Sequence, residues 1–185
     1  MIESTKSKYE RKNIDLIGLG NAIVDIIINV DDAFLKTNKL EKGSMNLIEI
    51  DQSEELLKNC QIVKQIAGGS TANTVFALAT LGNTVEFIGR VKDDYYGRNF
   101  SNSIKKSGAI FKSKLVISDK SSAHSVIFVT PDAQRTMCTY LGASIEFEPS
   151  DINYNSIKHS KYLYLEGYLW DSDSAKKAFI NAAQI

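Results

Sequence analysis

The chain has 185 residues, which is enough for one domain with a hydrophobic core and too few for two large ones. Lysine plus arginine and aspartate plus glutamate each number 22, so the formal net charge is zero. No overall basic field exists to attract nucleic acid or an anionic membrane, and we expect neither as a partner. The substrate can still be anionic, provided that the attraction is local.

The N-terminal segment 1–13 is polar and charged and has no apolar stretch of signal-peptide length. No later apolar run approaches the length of a membrane span. We therefore predict a disordered polar tail over residues 1–13, a cytoplasmic location and no membrane contact. Cys60 and Cys138 lie far apart without a Cys-x-x-Cys spacing, which is typical of buried, reduced thiols.

Hydrophobic spacing in the first half of the chain predicts strands that alternate with helices. Runs rich in β-branched residues predict strands at 14–20, 23–30, 44–50, 62–67 and 84–91. Short helices are predicted at 31–38 and 51–59, and amphipathic helices over 72–79 and 96–104. Gly82 and Gly108 follow the two amphipathic helices, at the position where left-handed backbone geometry favours glycine.

Three β-rich runs follow one another at 111–117, 124–130 and 135–141, with a turn at Pro131-Asp132. Such a succession inside a βα pattern predicts a sheet that stands apart from the main one. Next we predict a short helix capped by Ser150 or Asp151, a buried central strand over 161–166, and an amphipathic helix over 175–182. A strand followed by a helix at this place predicts a parallel sheet that continues beyond Ile185.

The segment Gly68-Gly69-Ser70-Thr71-Ala72-Asn73-Thr74 lies between a predicted strand and a predicted helix. Two glycines there let a ligand approach the backbone, where the free amides of the helix start can bind it. No Lys-Ser or Lys-Thr pair follows, so this is not a P-loop. Asn73, about one turn into the helix, can bond hydroxyl groups in either direction. The alternative is a tight connection with Ser70 as the N-cap.

The segment Gly18-Leu19-Gly20-Asn21-Ala22-Ile23 resembles a dinucleotide-binding fingerprint in its first two glycines only. That fingerprint needs a third glycine and a helix directly behind it. Here the third position is Ile23 and the chain continues as a predicted strand. This argues against an NAD-dependent oxidoreductase.

Three charged side chains occupy positions at which they could bind a ligand. Asp25 interrupts an apolar strand and can accept two hydroxyl hydrogen bonds, although a strand with one wet face is the alternative. Arg135 opens a predicted strand, either as a surface arginine or as a cation that screens negative charge during a reaction. Glu166 ends a predicted strand, where open α/β sheets bind ligands. His124 and His159 have no further ligand at metal spacing, so no metal site is predicted.

Five segments, taken in order, resemble the PfkB family, which includes ribokinase, fructokinase and adenosine kinase. They are GLGNAIVDI (18–26), AGGSTANTVFALATLG (67–82), IGRVKDDYYG (88–97), QRTMCTYLGAS (134–144) and YLYLEGYLWD (162–171). The Gly-Gly-Ser-Thr spelling and the arginine-bearing strand look most like adenosine-kinase-like members. The resemblance implies a ribokinase-like α/β fold over residues 14–185. It would be an incomplete doubly wound, mostly parallel sheet with a small β-sheet lid, whose strands we expect near 24–30, 44–50 and 111–141.

The resemblance also implies a set of substrate-binding residues and a reaction. The residues are Asn21 and Asp25 at the acceptor's hydroxyl groups, Gly68, Gly69 and Asn73 in the same pocket, Arg135 on the lid and Glu166 near the ribose. The implied reaction is ATP- and Mg²⁺-dependent phosphorylation of a primary hydroxyl group on a sugar or nucleoside. The lid pairs two subunits in some relatives and not in others, so a homodimer through the lid is one of two alternatives here.

One family motif is absent from the sequence. Gly-Ala-Gly-Asp carries the family's catalytic base, but Gly-Ala occurs here only at 108–109 and 142–143, and neither pair continues to Gly-Asp. We therefore expect the base, and most of the ATP and Mg²⁺ sites, beyond Ile185, so that the 185 residues alone are inactive. The alternative is a non-catalytic module that binds a sugar or nucleoside.

Overall fold

The computed structural model describes residues 13–185. The predicted tail at 1–13 lies almost entirely outside this range. The helices are α1 (Asp32–Thr37), α2 (Ile50–Leu57), α3 (Ser70–Thr80), α4 (Tyr95–Lys106), α5 (Tyr154–Lys158) and α6 (Asp173–Ala183). The strands are β1 (Ile14–Leu19), β2 (Ile23–Asn29), β3 (Met45–Leu47), β4 (Ile62–Gly68), β5 (Val85–Ile88), β6 (Val91–Lys92), β7 (Ile110–Phe111), β8 (Leu115–Val116), β9 (Ala123–Val129), β10 (Arg135–Tyr140) and β11 (Ser160–Leu165).

The strands form a central parallel sheet and a separate second sheet. The central sheet has the order β11-β1-β5-β7, and every pair in it is parallel. The second sheet has the order β3-β10-β9-β2-β4 and is mixed, because β2 is parallel to β9 but antiparallel to β4. Residues 20–22 are the short link by which the chain passes from one sheet to the other.

Two hydrophobic clusters hold these layers together. The first joins α3 and α4 to the central sheet and to one face of the second sheet, with Val75, Phe87, Phe100 and Val126 fully buried. The second packs α6 against the other face of the central sheet through Phe179 and its neighbours. The outer face of the second sheet has no such cover among the described residues, and Met45 and Leu47 on it are more than half exposed. No helix in the described part of the chain is long and apolar enough to cross a membrane.

Two predicted strands are each divided in the structure. The run 84–91 becomes β5 and β6, because Gly89 leaves the sheet where a Cβ would approach the Gly20 carbonyl oxygen to 2.7 Å. The run 111–117 becomes β7, in the central sheet, and β8, which pairs with β6. The second sheet therefore contains β9 and β10 but not the 111–117 segment that was expected in a lid, and it gains β4. The hydrophobic pattern of a strand cannot show to which of the two sheets it belongs, since both sheets bury apolar side chains.

Two local predictions also need correction. The predicted strand 44–50 is shorter, since α2 begins at Ile50 behind a capping box formed by Glu49 and Gln52. The cap of α5 is Asn153, whose side chain accepts from the Ser156 amide, and not Ser150 or Asp151. Among the described residues β11 is the last strand on its side of the central sheet, and Tyr162 on it is 69% exposed. The buried central strand stays a prediction, because the sheet is expected to continue beyond Ile185.

His124 is a buried histidine that joins the second sheet to α2 and α4. Its Nε2 lies 2.6 Å from the Ser53 hydroxyl, and its ring stacks on the ring of Tyr96 with 4.4 Å between the two ring centroids. Burial lowers the pKa of His124, while the Ser122 carbonyl and more distant carboxylates act in the opposite direction. The neutral imidazole is therefore the form that the fold accommodates.

Replacing His124 with glutamine is expected to remove part of the acid sensitivity of the fold. Because the pKa of His124 is lower in the folded state, the unfolded chain binds the extra proton first, and stability falls as the pH drops below about 6.5. The free energies of unfolding of wild type and His124→Gln should differ by a constant amount above about pH 7.5 and converge below pH 6.5. Urea titrations at several pH values measure this difference. Curves that stay parallel down to pH 5 would contradict the assignment.

Candidate functional site

The glycine pair at the start of α3 forms a tight corner. Gly68 ends β4, and Gly69 is the N-cap residue with φ of +97°, a region that favours glycine. A Cβ on Gly69 would lie 2.7 Å from the Asn21 carbonyl oxygen. The helix begins without a side-chain cap of its own. Its free amides therefore need an acceptor from elsewhere in the fold.

Glu166 supplies that acceptor from the end of β11. One carboxylate oxygen accepts from the Thr71 amide at 3.2 Å and from the Ser70 hydroxyl, and the other accepts from the Asn21 amide at 2.6 Å. The side chain is only 4% exposed. Three segments that are far apart in sequence are thus tied to one buried carboxylate. The resemblance had implied a contact with the ribose; here the oxygens of Glu166 are engaged by protein donors.

Asp25 lies directly over the glycine corner. It projects from β2, and a Cβ on Gly68 would come within 2.3 Å of its carboxyl atoms. The Asp25 carboxylate makes no hydrogen bond or ion pair with any residue of the range 13–185. Burial raises the pKa of Asp25 to about 6, and the nearby charge of Arg135 opposes this only in part. An unpaired, partly buried carboxylate of this kind is typical of a ligand-binding position.

Arg135 shares the outer face of the second sheet with Asp25. Arg135 is aligned with Asn29 through Val129, and Thr139 is aligned with Asp25 through Ser125. Because Arg135 and Thr139 are four residues apart on β10, their side chains lie on the same face of the sheet as Asp25. Arg135 is exposed and forms no ion pair with a described residue. Its charge nevertheless reaches Asp25, because it lowers the pKa of that carboxyl. The structure therefore brings these two residues to one surface.

A cavity of about 320 Å³ opens between the corner and the second sheet. Asn21, Gly69 and Glu166 line one side of it, and Ile23 lies beside Asp25 on the same strand face. The other walls are mainly apolar: they come from Met45, Leu47, Met137, Thr139, Leu141, Tyr168 and Asp171. The side-chain oxygen of Asn21 is buried and has no hydrogen-bond partner among the described residues. The cavity is thus polar at the corner and apolar on the sheet side.

Sequence reasoning missed the apolar walls of this cavity. Met137, Thr139 and Leu141 are spaced by two from Arg135, so the alternation of a strand could have found them. No comparable signal pointed to Tyr168 and Asp171, because they lie in a short 3₁₀ helix, Gly167–Asp171, that has no side-chain periodicity of its own.

Of the expected site residues, Asn21, Gly69 and Glu166 line the cavity, whereas Asp25, Gly68, Asn73 and Arg135 do not. Asn73 is also the one of these four for which the structure gives no link to Asp25 or to the sheet face that carries it. It is exposed on α3, its amide bonds the Gly69 carbonyl at 2.9 Å, and it is not among the lining residues.

Nowhere in residues 13–185 do three His, Cys, Asp or Glu side chains come together so that they could hold a metal ion. Mg²⁺ in kinases is usually bound by one or two carboxylates together with substrate phosphates, and its site stays predicted beyond Ile185.

Comparisons with known proteins decide the family. The profile of the pfkB family carbohydrate kinases matches residues 39–185, which is most of the chain. The chain belongs to the PfkB family. The predicted family and the ribokinase-like α/β fold are thereby confirmed.

Similar proteins of this family include both sugar and nucleoside kinases. A 5-dehydro-2-deoxygluconokinase from Geobacillus kaustophilus is 35% identical over 85% of this chain and 42% of its own length. The adenosine kinase of Sinorhizobium meliloti is 42% identical with a TM-score of 0.85, over 93% of this chain and 53% of that one. A probable sugar kinase from Rhizobium etli is 37% identical, also with a TM-score of 0.85, over 94% of this chain and 52% of that one. The chain spans about half the length of the proteins that it matches.

Proposed function

We propose that this PfkB-family chain forms the acceptor-binding part of an ATP-dependent kinase that phosphorylates a primary hydroxyl group of a nucleoside. The observation that carries the proposal is the unpaired carboxylate of Asp25 over Gly68, beside a cavity of suitable size. A carboxylate with two free oxygens can accept hydrogen bonds from two neighbouring hydroxyl groups, as recognition of a ribose requires.

The acceptor's hydroxyl groups would be held between β2 and the glycine corner. Asp25 accepts from two of them, and the buried side-chain oxygen of Asn21 is an additional acceptor at the cavity wall. Gly68 leaves the room that the Asp25 carboxylate occupies, since a side chain at Gly68 would collide with it, and Gly69 lets the corner approach the Asn21 carbonyl oxygen. Fixing the acceptor in this way orients its primary hydroxyl group for attack, which is a contribution of proximity.

The apolar walls of the cavity favour a nucleoside over a simple sugar. Met137, Leu141 and Tyr168 offer hydrophobic and aromatic surface, which suits a planar base better than a polyhydroxylated chain. The likeness to the adenosine kinase of Sinorhizobium meliloti, at 42% identity, supports the same choice.

A sugar acid is the second candidate acceptor, and Arg135 is the observation that favours it. The Arg135 guanidinium has no ion-pair partner among the described residues and shares the sheet face with Asp25. A guanidinium in that position can pair with a carboxylate of the acceptor. The 5-dehydro-2-deoxygluconokinases among the relatives are consistent with such an acceptor.

The phosphoryl transfer itself is not assigned to residues of this site. ATP would supply the transferred group, and the reaction depends on positioning and on screening of negative charge. The acceptor-binding residues described above only bind and orient the acceptor. Pairing of two copies through the second sheet, the cytoplasmic location and the activity of the whole protein remain predictions.

An acceptor panel tests the proposal and separates the two candidates. The protein encoded by the complete gene is incubated with ATP and adenosine, other nucleosides, ribose, fructose or 5-dehydro-2-deoxygluconate, and ADP release is measured. We expect adenosine or a related nucleoside to give the highest kcat/KM. Arg135→Ala should leave the KM for a nucleoside within about threefold, whereas it should raise the KM for a sugar acid about tenfold or more.

Two outcomes of this panel would count against the proposal. If no acceptor is phosphorylated but nucleosides bind in calorimetry, the chain belongs to a non-catalytic binding module. If Asp25→Ala has the same kcat/KM as wild type for the best acceptor, the role of Asp25 is wrong. Lys106→Ala, an exposed change on α4, is the matched control and should leave kcat/KM unchanged.

A further inference from the structure

A second cavity, of about 400 Å³, lies on the face of the central sheet against which α6 packs. It is lined by the end of β5, by the link between β7 and β8, and by the turn that precedes α5. It shares no lining residue with the acceptor cavity. Its volume falls within the range of about 300–1,000 Å³ that is usual for small-molecule pockets.

Glu86 is a buried carboxylate at the floor of this cavity. It points to the same side of β5 as Ile88 and is 1% exposed. Neither carboxylate oxygen has a hydrogen-bond partner of good geometry among the described residues, although the Ser156 hydroxyl is near enough to lower its pKa. Burial raises the pKa of Glu86, and the Lys112 ammonium and the Ser156 hydroxyl act in the opposite sense without outweighing it. Since a buried carboxyl group without a partner is costly, something beyond the residues in place is expected to pair with it.

Arg90 presents a second unsatisfied group in the same cavity. Its Nη1 donates to Glu148 at 3.1 Å and to Asp151 at 2.9 Å, which fixes the guanidinium plane. Its Nε–H, in contrast, is buried and has no acceptor among the described residues. An orphan donor and orphan acceptors thus line one cavity, which is the pattern that a hydroxyl group can satisfy because it both donates and accepts.

Two lysines give the mouth of the cavity a positive charge. Lys112 and Lys114 are exposed, line the cavity, and form no ion pair with a described residue. Glu148 and Asp151 are already committed to Arg90. The three acidic residues at this cavity do not form a metal cluster, so a cation is not the expected occupant.

We propose that this cavity is a binding site for a small hydroxylated anion, with its anionic group at Lys112 and Lys114 and its hydroxyl groups directed at Glu86 and Arg90. The ammonium groups attract a carboxylate or a phosphate at the mouth. Both residues that carry the orphan groups, Glu86 and Arg90, line this cavity. The site is independent of the proposed kinase function.

Nuclear magnetic resonance on the protein encoded by the complete gene tests this site directly, because the Nε–H of Arg90 is itself an observable signal. Four probes carry different parts of the proposed ligand. Glucose 6-phosphate and gluconate have both hydroxyl groups and an anionic group, glucose has only the hydroxyl groups, and inorganic phosphate has only the anionic group. We expect the first two to shift the Arg90 Nε–H resonance and the backbone amides of 112–114. Glucose and phosphate should need about tenfold higher concentrations, since each makes only half of the contacts. Whichever of the two hydroxylated anions binds more tightly identifies the charged group.

Two variants and a control complete the test. Lys112→Ala combined with Lys114→Ala changes only exposed side chains and should raise the Kd for glucose 6-phosphate about tenfold. Glu86→Gln should reduce the preference for glucose 6-phosphate over phosphate, whereas Lys106→Ala should change neither value. The proposal is overturned if none of the probes moves the Arg90 Nε–H signal, if glucose binds as tightly as the anions, or if the double variant binds like wild type. Water alone would then fill the cavity.

Discussion

Asp25→Asn is expected to make the fold more stable at neutral pH and the acceptor site weaker. The folded protein holds the pKa of Asp25 at about 6, above its ordinary value of about 3.9. Ionised Asp25 therefore disfavours the folded state, and its cost grows as the pH rises from about 4 through 6. Above pH 7 the variant should unfold with a free energy about 2–3 kcal/mol higher than wild type, and at pH 4 the two should be nearly equal.

The same substitution should lower acceptor affinity at least about tenfold, because an amide replaces a charged acceptor of two hydroxyl hydrogen bonds. Urea unfolding between pH 4 and 8 and calorimetric titration with adenosine at pH 7.5 measure the two effects. Asp132→Asn is a matched control, since Lys42 and Thr130 hold the pKa of that exposed carboxyl down at about 2. It should give no gain in stability. A wild-type affinity in Asp25→Asn, or a stability difference that does not depend on pH, would refute the role of Asp25.

Glu166→Ala is expected to destabilise the protein strongly and to loosen the glycine corner. The change leaves the Asn21 and Thr71 amides buried without their acceptor, and each buried orphan costs about 1–3 kcal/mol. We expect a loss of about 3 kcal/mol or more in the free energy of unfolding. Hydrogen exchange at these two amides should accelerate well beyond the change seen at β9, because the lost contacts are local.

The substitution Glu166→Gln tests whether Glu166 positions the glycine corner or contacts only the ligand. The glutamine amide is a donor that faces the donors of Asn21, Ser70 and Thr71, so stability and the exchange rates should change together with acceptor affinity. If Glu166 instead served only the ligand, affinity would fall while exchange and stability stayed as in wild type. Glu55→Ala, which removes an exposed carboxylate on α2, is the control and should stay within about 0.5 kcal/mol.

Local chemistry in the sequence predicted most of the elements that build the site. Alternating β-branched runs and the glycines at 68–69 identified the strand-to-helix corner, and Gly82 and Gly108 follow their helices with positive φ. Asp25 was predicted as a site residue because a carboxylate inside an apolar strand is costly to bury without a partner. These features depend on neighbours a few residues away, which is why they can be seen without coordinates.

Strand membership and partners distant in sequence were decided only by the tertiary structure. Glu166 meets Ser70 across 96 residues, and no periodicity signals that pairing. The alignment of Arg135 with the face that holds Asp25 depends on the β2–β9–β10 register, and a slip of one residue would reverse it. The unpaired Glu86 likewise became notable only when its surroundings were known. The sequence by itself determined which segments form strands, helices and tight glycine turns, because those depend on short-range sterics and spacing. The tertiary structure alone decided which side chains find partners and which remain free to bind a ligand, because that depends on contacts between segments a hundred residues apart.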